Sequence, residues 1–182
     1  MQEPESDGPP RAALIAALVI AVAAAVAVVV LARHHQPGPD AGPVAIADVP
    51  APHAGEKACA DLITALPEQL GDFRRAQAAG PVPAGAAAWR APAAAEPVVL
   101  RCGLDRPDEF VLGAPLQMVD AVSWFRVADP AGDGRVTWFA VDRPVYVALT
   151  LPPGSGPTPI QQLSGIIAKT LPAQPIAPGP PR

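Results

Sequence analysis

The sequence predicts an α+β fold in which an antiparallel sheet is flanked by a helix from each end of one small extracytoplasmic domain. An N-terminal transmembrane helix and a Pro-rich stalk precede that domain. Three observations predict this organisation. Residues 12–32 contain only Ala, Val, Leu and Ile. Apolar residues recur at helical spacing near both ends of the domain. Runs rich in Val, Trp and Phe alternate with turn residues in its last third.

Residues 12–32 are predicted to cross a membrane as a signal-anchor helix, after an N-terminal tail of residues 1–11. A helix of this length reaches about 30 Å, the thickness of the hydrocarbon core of a bilayer. A cleaved signal peptide ending at Ala32 is the alternative, but its apolar core is usually about 7–15 residues long. Arg11 and Arg33 balance the positive charge across the helix. The predicted orientation, with the N-terminus cytoplasmic and the domain extracytoplasmic, therefore depends on the short tail and on the cysteines.

Three regions are predicted after this helix. Residues 33–54 are punctuated by Pro and Gly and form a semi-extended stalk. Residues 55–171 have the apolar content of one globular domain, and residues 172–182 form a disordered Pro-rich tail. From residue 55 onward the chain carries eleven basic and twelve acidic residues. This near-neutral balance differs from the clustered basic face that binds phosphates, so no nucleic-acid partner is predicted.

The first predicted element of the domain is an amphipathic helix that ends at Pro67. Its apolar residues fall at i, i+3, i+4 and i+7, which is one helix face: Cys59, Leu62, Ile63 and Leu66. The only other cysteine, Cys102, lies in a predicted strand. A disulfide between Cys59 and Cys102 would tie that strand to the helix and would need an oxidising compartment. Two unpaired buried thiols are the alternative. A catalytic dithiol would need a close Cys-x-x-Cys pair.

The rest of the domain is predicted as sheet followed by a closing helix. A loop rich in Pro, Gly and Ala, interrupted by Trp89, covers residues 80–97. The strands are runs rich in β-branched and aromatic residues, at residues 98–102, 121–128, 135–141 and 145–151. The last three are joined by turn residues and form an antiparallel meander. Apolar residues then recur at near-helical spacing from Ile160 to Leu171.

No catalytic or metal-binding site and no cofactor are predicted. The three histidines all lie in the predicted stalk, so the domain lacks the histidine of nucleophilic triads and of the usual zinc sites: His34, His35 and His53. One acidic cluster, a candidate carboxylate pair or calcium site, is interpreted as an exposed charged loop: Asp105, Asp108 and Glu109. Gly154-Ser155-Gly156 lacks the G-x-S-x-G spacing of a nucleophile turn and is interpreted as a linker.

The tryptophans have two interpretations. As large apolar residues of the sheet they belong in the core, and together they would alternatively line a pocket for a lipid or a sugar: Trp89, Trp124 and Trp138. Trp124 and Trp138 lie on strands either side of one turn, where cross-strand contact is possible. Three arginines would add an anion-binding surface or are scattered solvated charges: Arg101, Arg126 and Arg143.

The order of these features resembles a known family. The segments that carry the resemblance are Val99-Leu100-Arg101-Cys102-Gly103 and Asp142-Arg143-Pro144-Val145-Tyr146-Val147, preceded by Cys59-Ala60-Asp61-Leu62. Over about residues 12–171 the chain is similar to a family of single-pass, membrane-anchored envelope proteins of actinobacteria, mycobacteria among them, catalogued as a domain of unknown function. The resemblance implies an exported domain with Cys59 and Cys102 paired. It implies no catalytic or binding residue.

The sequence therefore predicts a non-enzymatic domain, tethered to the cell membrane, that binds a protein partner of the cell envelope. A domain that binds a small molecule, lipid or glycan at its tryptophans is the alternative. The lipid bilayer is a predicted partner through residues 12–32.

Overall fold

The computed structural model describes residues 11–35, 42–91, 96–129 and 132–181. The chain divides into two compact units, residues 1–39 and residues 40–182. Helix α1 (Arg11–His35) belongs to the first unit, and its described side chains, those of residues 14–28, are exposed. A search of the described residues finds no helix that is both long enough and apolar enough to cross a membrane. The membrane-spanning role of residues 12–32 stays a prediction.

The second unit contains, within its described residues, two helices and one eight-stranded sheet. The helices are α2 (Lys57–Ala65) and α3 (Thr158–Thr170). The strands are β1 (Gln69–Leu70), β2 (Phe73–Arg75), β3 (Ala86–Arg90), β4 (Val98–Leu104), β5 (Leu116–Val119), β6 (Val122–Ala128), β7 (Val136–Ala140) and β8 (Tyr146–Leu151). Their order in the sheet is β1-β2-β3-β4-β8-β7-β6-β5, with every neighbouring pair antiparallel. The predicted α+β class and antiparallel sheet are confirmed.

Both helices of this unit bury the face that their sequence spacing predicts. In α2, Cys59 and Leu62 are fully buried, and the helix ends just before Pro67. In α3, Leu163 and Ile167 are fully buried. Helix α3 packs against α2 and contacts β1 at one edge of the sheet and β5 and β6 at the other. The sheet therefore curls around α3, and the main core lies between them.

The predicted meander corresponds to β6, β7 and β8, and the predicted strand at residues 98–102 continues to Leu104 as β4. Gly103, where the sequence predicts the strand's end, lies inside β4 at φ +87° next to a register shift. A Cβ on Gly103 would lie 2.3 Å from the Ala54 nitrogen, so only glycine lets the segment around Ala54 approach the strand.

The loop predicted at residues 80–97 is wrong over Ala86–Arg90, which form β3 between β2 and β4. Strands β1, β2 and β5 are also absent from the sequence prediction. Alanine has little intrinsic preference for strands, so the pattern of β3 gave no strand signal. Its three alanines are buried at 5% exposure or less, and pairing on both sides of the strand decides its structure.

The predicted stalk is wrong over residues 42–54, which pack on the domain. Val44 is buried, its N–H donates to the Gln77 carbonyl at 2.8 Å, and its carbonyl accepts from the Ala79 N–H at 2.8 Å. The His53 N–H donates to the Gly103 carbonyl at 3.0 Å. Residues 36–41 of the predicted stalk lie outside the described residues. Val44 packs with Ala88 and Val99 on the face of the sheet opposite the main core.

The disordered tail predicted at residues 172–182 is wrong over residues 172–181. The Gln174 N–H donates to the Asp142 carbonyl at 2.9 Å, and the Gly179 N–H donates to the Phe110 carbonyl at 2.8 Å. The Leu112 N–H in turn donates to the Gly179 carbonyl at 2.9 Å. Prolines lack an N–H, but the residues between them supply the donors that fix the segment to the domain.

Candidate functional site

The two cysteines form a structural disulfide. The sulfur atoms of Cys59 and Cys102 are 2.01 Å apart, and both residues are fully buried in the main core. The bond joins α2 to β4, as the sequence predicts. Full burial separates it from solvent, so the bond acts as a crosslink and does not contribute an accessible thiol pair.

Two of the three tryptophans belong to the core. Trp89 and Trp124 are both fully buried. The Trp89 indole N–H donates to the Pro67 carbonyl at 2.8 Å, and the Trp124 indole N–H donates to the Ser164 hydroxyl at 2.9 Å. Trp138 is only half-buried. The proposed pocket of three tryptophans is therefore not formed, and the core interpretation holds for Trp89 and Trp124.

Trp138 instead lines a cavity of about 640 Å³ at one end of the sheet. Its floor is formed by Arg126 on β6 and Trp138 on β7, which are directly paired; the Arg126 guanidinium carbon lies 6.0 Å from the centroid of the Trp138 ring. One wall is residues 117–120, from β5 and its turn. The other is residues 152–157 with the start of α3. The volume falls within the range of about 300–1,000 Å³ that is usual for small-ligand sites.

The segment interpreted as a linker, Gly154-Ser155-Gly156, lies in the second wall of this cavity. Sequence reasoning missed this role. The signal in the sequence is a run of Pro and Gly directly after a buried strand and before a helix, which is where loops form the walls of clefts.

Among the described residues, strand β5 pairs only with β6 and forms an edge of the sheet, with one side of its main chain open. The tight turn from Val119 to Val122 makes these two residues a hydrogen-bonded pair. Because such pairs alternate along the ladder, the N–H and C=O groups of Leu116 and Met118 point away from β6. The partner of Met118 confirms this register: Ser123 directs its own N–H to Asp142 Oδ2 at 2.9 Å.

The side chains at this edge are apolar and exposed. Met118 is 66% exposed, and Leu116 is 38% exposed. Strand β5 has the sequence Leu-Gln-Met-Val and contains no charged residue. It thus lacks the lysines and inward-facing charges that usually protect an open strand from pairing.

The three candidate arginines do not form one surface. Arg143 is buried and donates from Nη2 to the Ala121 carbonyl at 2.5 Å and from Nη1 to the Asp142 carbonyl at 2.8 Å. Arg101 donates from Nη2 to the Ala47 carbonyl at 3.2 Å, and its burial lowers its pKa. These two arginines hold chain segments together. Arg126, of the three, lines the cavity.

The acidic candidates are exposed, as predicted: Asp105, Asp108 and Glu109. Within the described residues, no group of three or more His, Cys, Asp or Glu is arranged to hold a metal ion. His53 lies with Nδ1 2.7 Å from Glu56 Oε1 at an exposed position. The side chains of His34 and His35 lie outside the described residues.

Comparison with known proteins gives one result. Residues 18–176 match the model of a family described as a protein of unknown function, DUF3515. No curated protein and no solved structure matches the chain. The match covers most of the chain and confirms the resemblance to a family of unknown function, so the protein belongs to the DUF3515 family.

Proposed function

We propose that this protein is a non-enzymatic binding domain, tethered to the cell membrane by residues 12–32, that recruits an envelope protein through strand β5. The observation that carries the proposal is the open main chain at Leu116 and Met118, flanked by exposed apolar side chains. An extended segment of a partner would add as the next strand of the sheet. Main-chain hydrogen bonds supply affinity in this mode of recognition, and alternate side chains supply specificity.

The two faces of the added strand would meet different surroundings. On one face lie Leu116 and Met118, which favour apolar residues. On the other face lie Gln117 and the cavity floored by Trp138 and Arg126. A partner segment with apolar residues at alternate positions and polar residues between them fits both faces. Pro115 and Asp120 bound the strand and limit the pairing to a short segment.

The extracytoplasmic location of the domain is supported by the apolar segment, residues 12–32, and by the disulfide. Disulfides persist in oxidising compartments and are rare in the cytosol. Intact-mass analysis of protein from native membranes, alkylated under denaturing conditions without reductant, tests this part of the proposal. We expect a mass that includes residues 1–32 and no alkyl groups. Two alkyl groups would refute the extracytoplasmic placement.

Site-specific photo-crosslinking in intact cells tests the docking surface. A crosslinker placed at Met118 should give one discrete adduct with an envelope protein, and the same crosslinker at Val82 serves as the matched control. Val82 is an apolar residue that is likewise exposed, at 58%, but lies away from β5. The adduct should disappear when Leu116→Lys is added, because a lysine charge at an open edge opposes strand pairing. Equal adducts from both positions, or none from Met118, would contradict the proposal, and an adduct with the protein itself would show self-pairing.

The cavity favours a second candidate function, the binding of a glycan. The Trp138 ring gives a face on which a sugar can stack, and nearby amide and hydroxyl groups can hydrogen-bond to its hydroxyls: Gln117, Ser155 and Gln161. Titration with envelope glycans should then quench tryptophan fluorescence saturably in the wild type and not in Trp138→Ala. Trp89 and Trp124 are buried and provide the constant background in both proteins. A saturable change that persists in Trp138→Ala would exclude this site.

A further inference from the structure

The C-terminal strap, residues 172–181, lies on the domain in the manner of a bound peptide. Its contacts are made largely by its main chain. Gln174 donates to the Asp142 carbonyl, and Gly179 both donates to Phe110 and accepts from Leu112. Gly179 and Val111 form an isolated parallel bridge. This is the geometry of an added extended segment, made here by a part of the chain that follows the last helix.

The surface beneath the strap is built around one glycine. Gly179 is buried, and a Cβ there would lie 3.2 Å from Arg106 Nη2 and 3.3 Å from Arg106 Cζ. The guanidinium group therefore lies against the bare Cα of Gly179. Beneath the adjoining main chain, Phe110 is 1% exposed. These neighbours form a cradle around Gly179, in which a larger side chain would have to displace the Arg106 guanidinium: Arg106, Phe110, Leu112 and Tyr146.

The residues on either side of Gly179 fit the same surface. Pro178 and Pro180 keep the main chain extended and have no N–H that would need a partner. The Tyr146 hydroxyl approaches the Ala177 carbonyl at 3.4 Å. The cradle thus combines a glycine-sized gap, an aromatic hydroxyl and main-chain groups on both sides, which together favour an extended Pro-Gly-Pro segment.

The rest of the strap contributes little burial. Residues 172–177 are all exposed, with Ile176 at 45%. The match to the family covers residues 18–176, which include the cradle residues Arg106, Phe110, Leu112 and Tyr146.

We propose that the cradle is a binding site for extended Pro-Gly-Pro segments and that the strap is its resident ligand, held in cis and exchangeable for the same motif in trans. This proposal does not depend on strand β5. A tethered segment competes at an effective concentration of about millimolar, so the intact chain should bind a free peptide much more weakly than a chain without its strap.

The test uses the chain lacking residues 172–182, purified in detergent, and a fluorescent peptide with the sequence of residues 174–182. We expect saturable binding by fluorescence anisotropy, and binding at least about tenfold weaker to the intact chain, because the strap competes. The same peptide carrying Gly179→Val is the matched control and should bind more weakly, since its side chain would have to displace the Arg106 guanidinium. Equal binding of both peptides, or binding of neither, would overturn the proposal.

A second variant guards against failure of the shortened chain to fold. The full-length Gly179→Val protein keeps the full length of the strap but should hold it less tightly in the cradle. It should bind the wild-type peptide more tightly than the unaltered full-length chain does, and no more tightly than the chain without its strap. If neither variant keeps the thermal transition of the wild type, the strap is a fixed part of the fold and the proposal is wrong.

Discussion

Replacing Cys59 and Cys102 together by alanine should lower the free energy of unfolding of the second unit by about 4 kcal/mol. The disulfide joins residues separated by 43 positions in the sequence. In the chain-entropy model, releasing a loop of this length restores about 13 cal/mol/K to the unfolded chain, or about 4 kcal/mol at 25 °C. Both residues are fully buried in the main core, so the small cavities left by the alanines add to the loss.

Urea denaturation monitored by tryptophan fluorescence measures this loss, with the buried Trp89 and Trp124 as reporters. A domain of this size has a total stability of about 5–15 kcal/mol, so the expected loss is a large share of it. It corresponds to a decrease in Tm of about 10–15 °C. Reductant should produce the same decrease in the wild type and none in the double variant. A loss below about 1 kcal/mol would refute the reasoning, because it would show that removing the disulfide does not increase the conformational entropy of the unfolded chain.

Three further predictions concern the contacts around the sheet. Asp142→Ala should cost about 3–5 kcal/mol in urea denaturation, because it leaves Arg143 buried without its carboxylate; an unchanged midpoint would show that the pair is not needed. Gly103→Ala should cost at least about 1 kcal/mol and speed proteolysis near Ala54, since its methyl would lie 2.3 Å from the Ala54 nitrogen. Burial raises the pKa of Tyr146, so the neutral phenol favours the folded state, and this stability is lost as pH rises above 10.0. The urea midpoint should fall more steeply in that range for the wild type than for Tyr146→Phe, and equal slopes would contradict it.

The two helices and the meander of the second unit were predictable because each has a strong periodic signal. In α2, the spacing of Cys59, Leu62 and Leu66 matches one helix face, and Pro67 ends the helix. The strands of the meander are rich in β-branched and aromatic residues and alternate with turn residues. Local sequence and tertiary environment agree at these elements, so reading the pattern was sufficient.

Apart from β4, the strands outside the meander and the C-terminal segment could not be predicted, because contacts with other parts of the domain determine their structure. Residues 86–88 are three alanines that pair with β4, and the residues that follow them in the same strand, Trp89 and Arg90, pair with β2. The pairing of Gly179 with Phe110 and Leu112 likewise joins positions almost 70 residues apart in the sequence, in a segment whose prolines resemble a disordered tail. Composition describes a segment in isolation, whereas the structure of these segments depends on their contacts with the rest of the domain.

At the candidate site, the sequence likewise does not predict which of two similar tryptophans is buried. Trp124 and Trp138 lie on adjacent strands of the meander and on the same face of the sheet, offset by two positions. Their sequence surroundings are alike, yet one is core and the other lines a cavity. The difference is the position of α3: the helix places Ser164 over Trp124, whereas the cavity at Trp138 is bounded by the loop before the helix. The end of α3 that begins at Thr158 therefore determines where the core stops and the open surface begins. Sequence periodicity places the residues on a face but does not encode how far the covering helix extends over it.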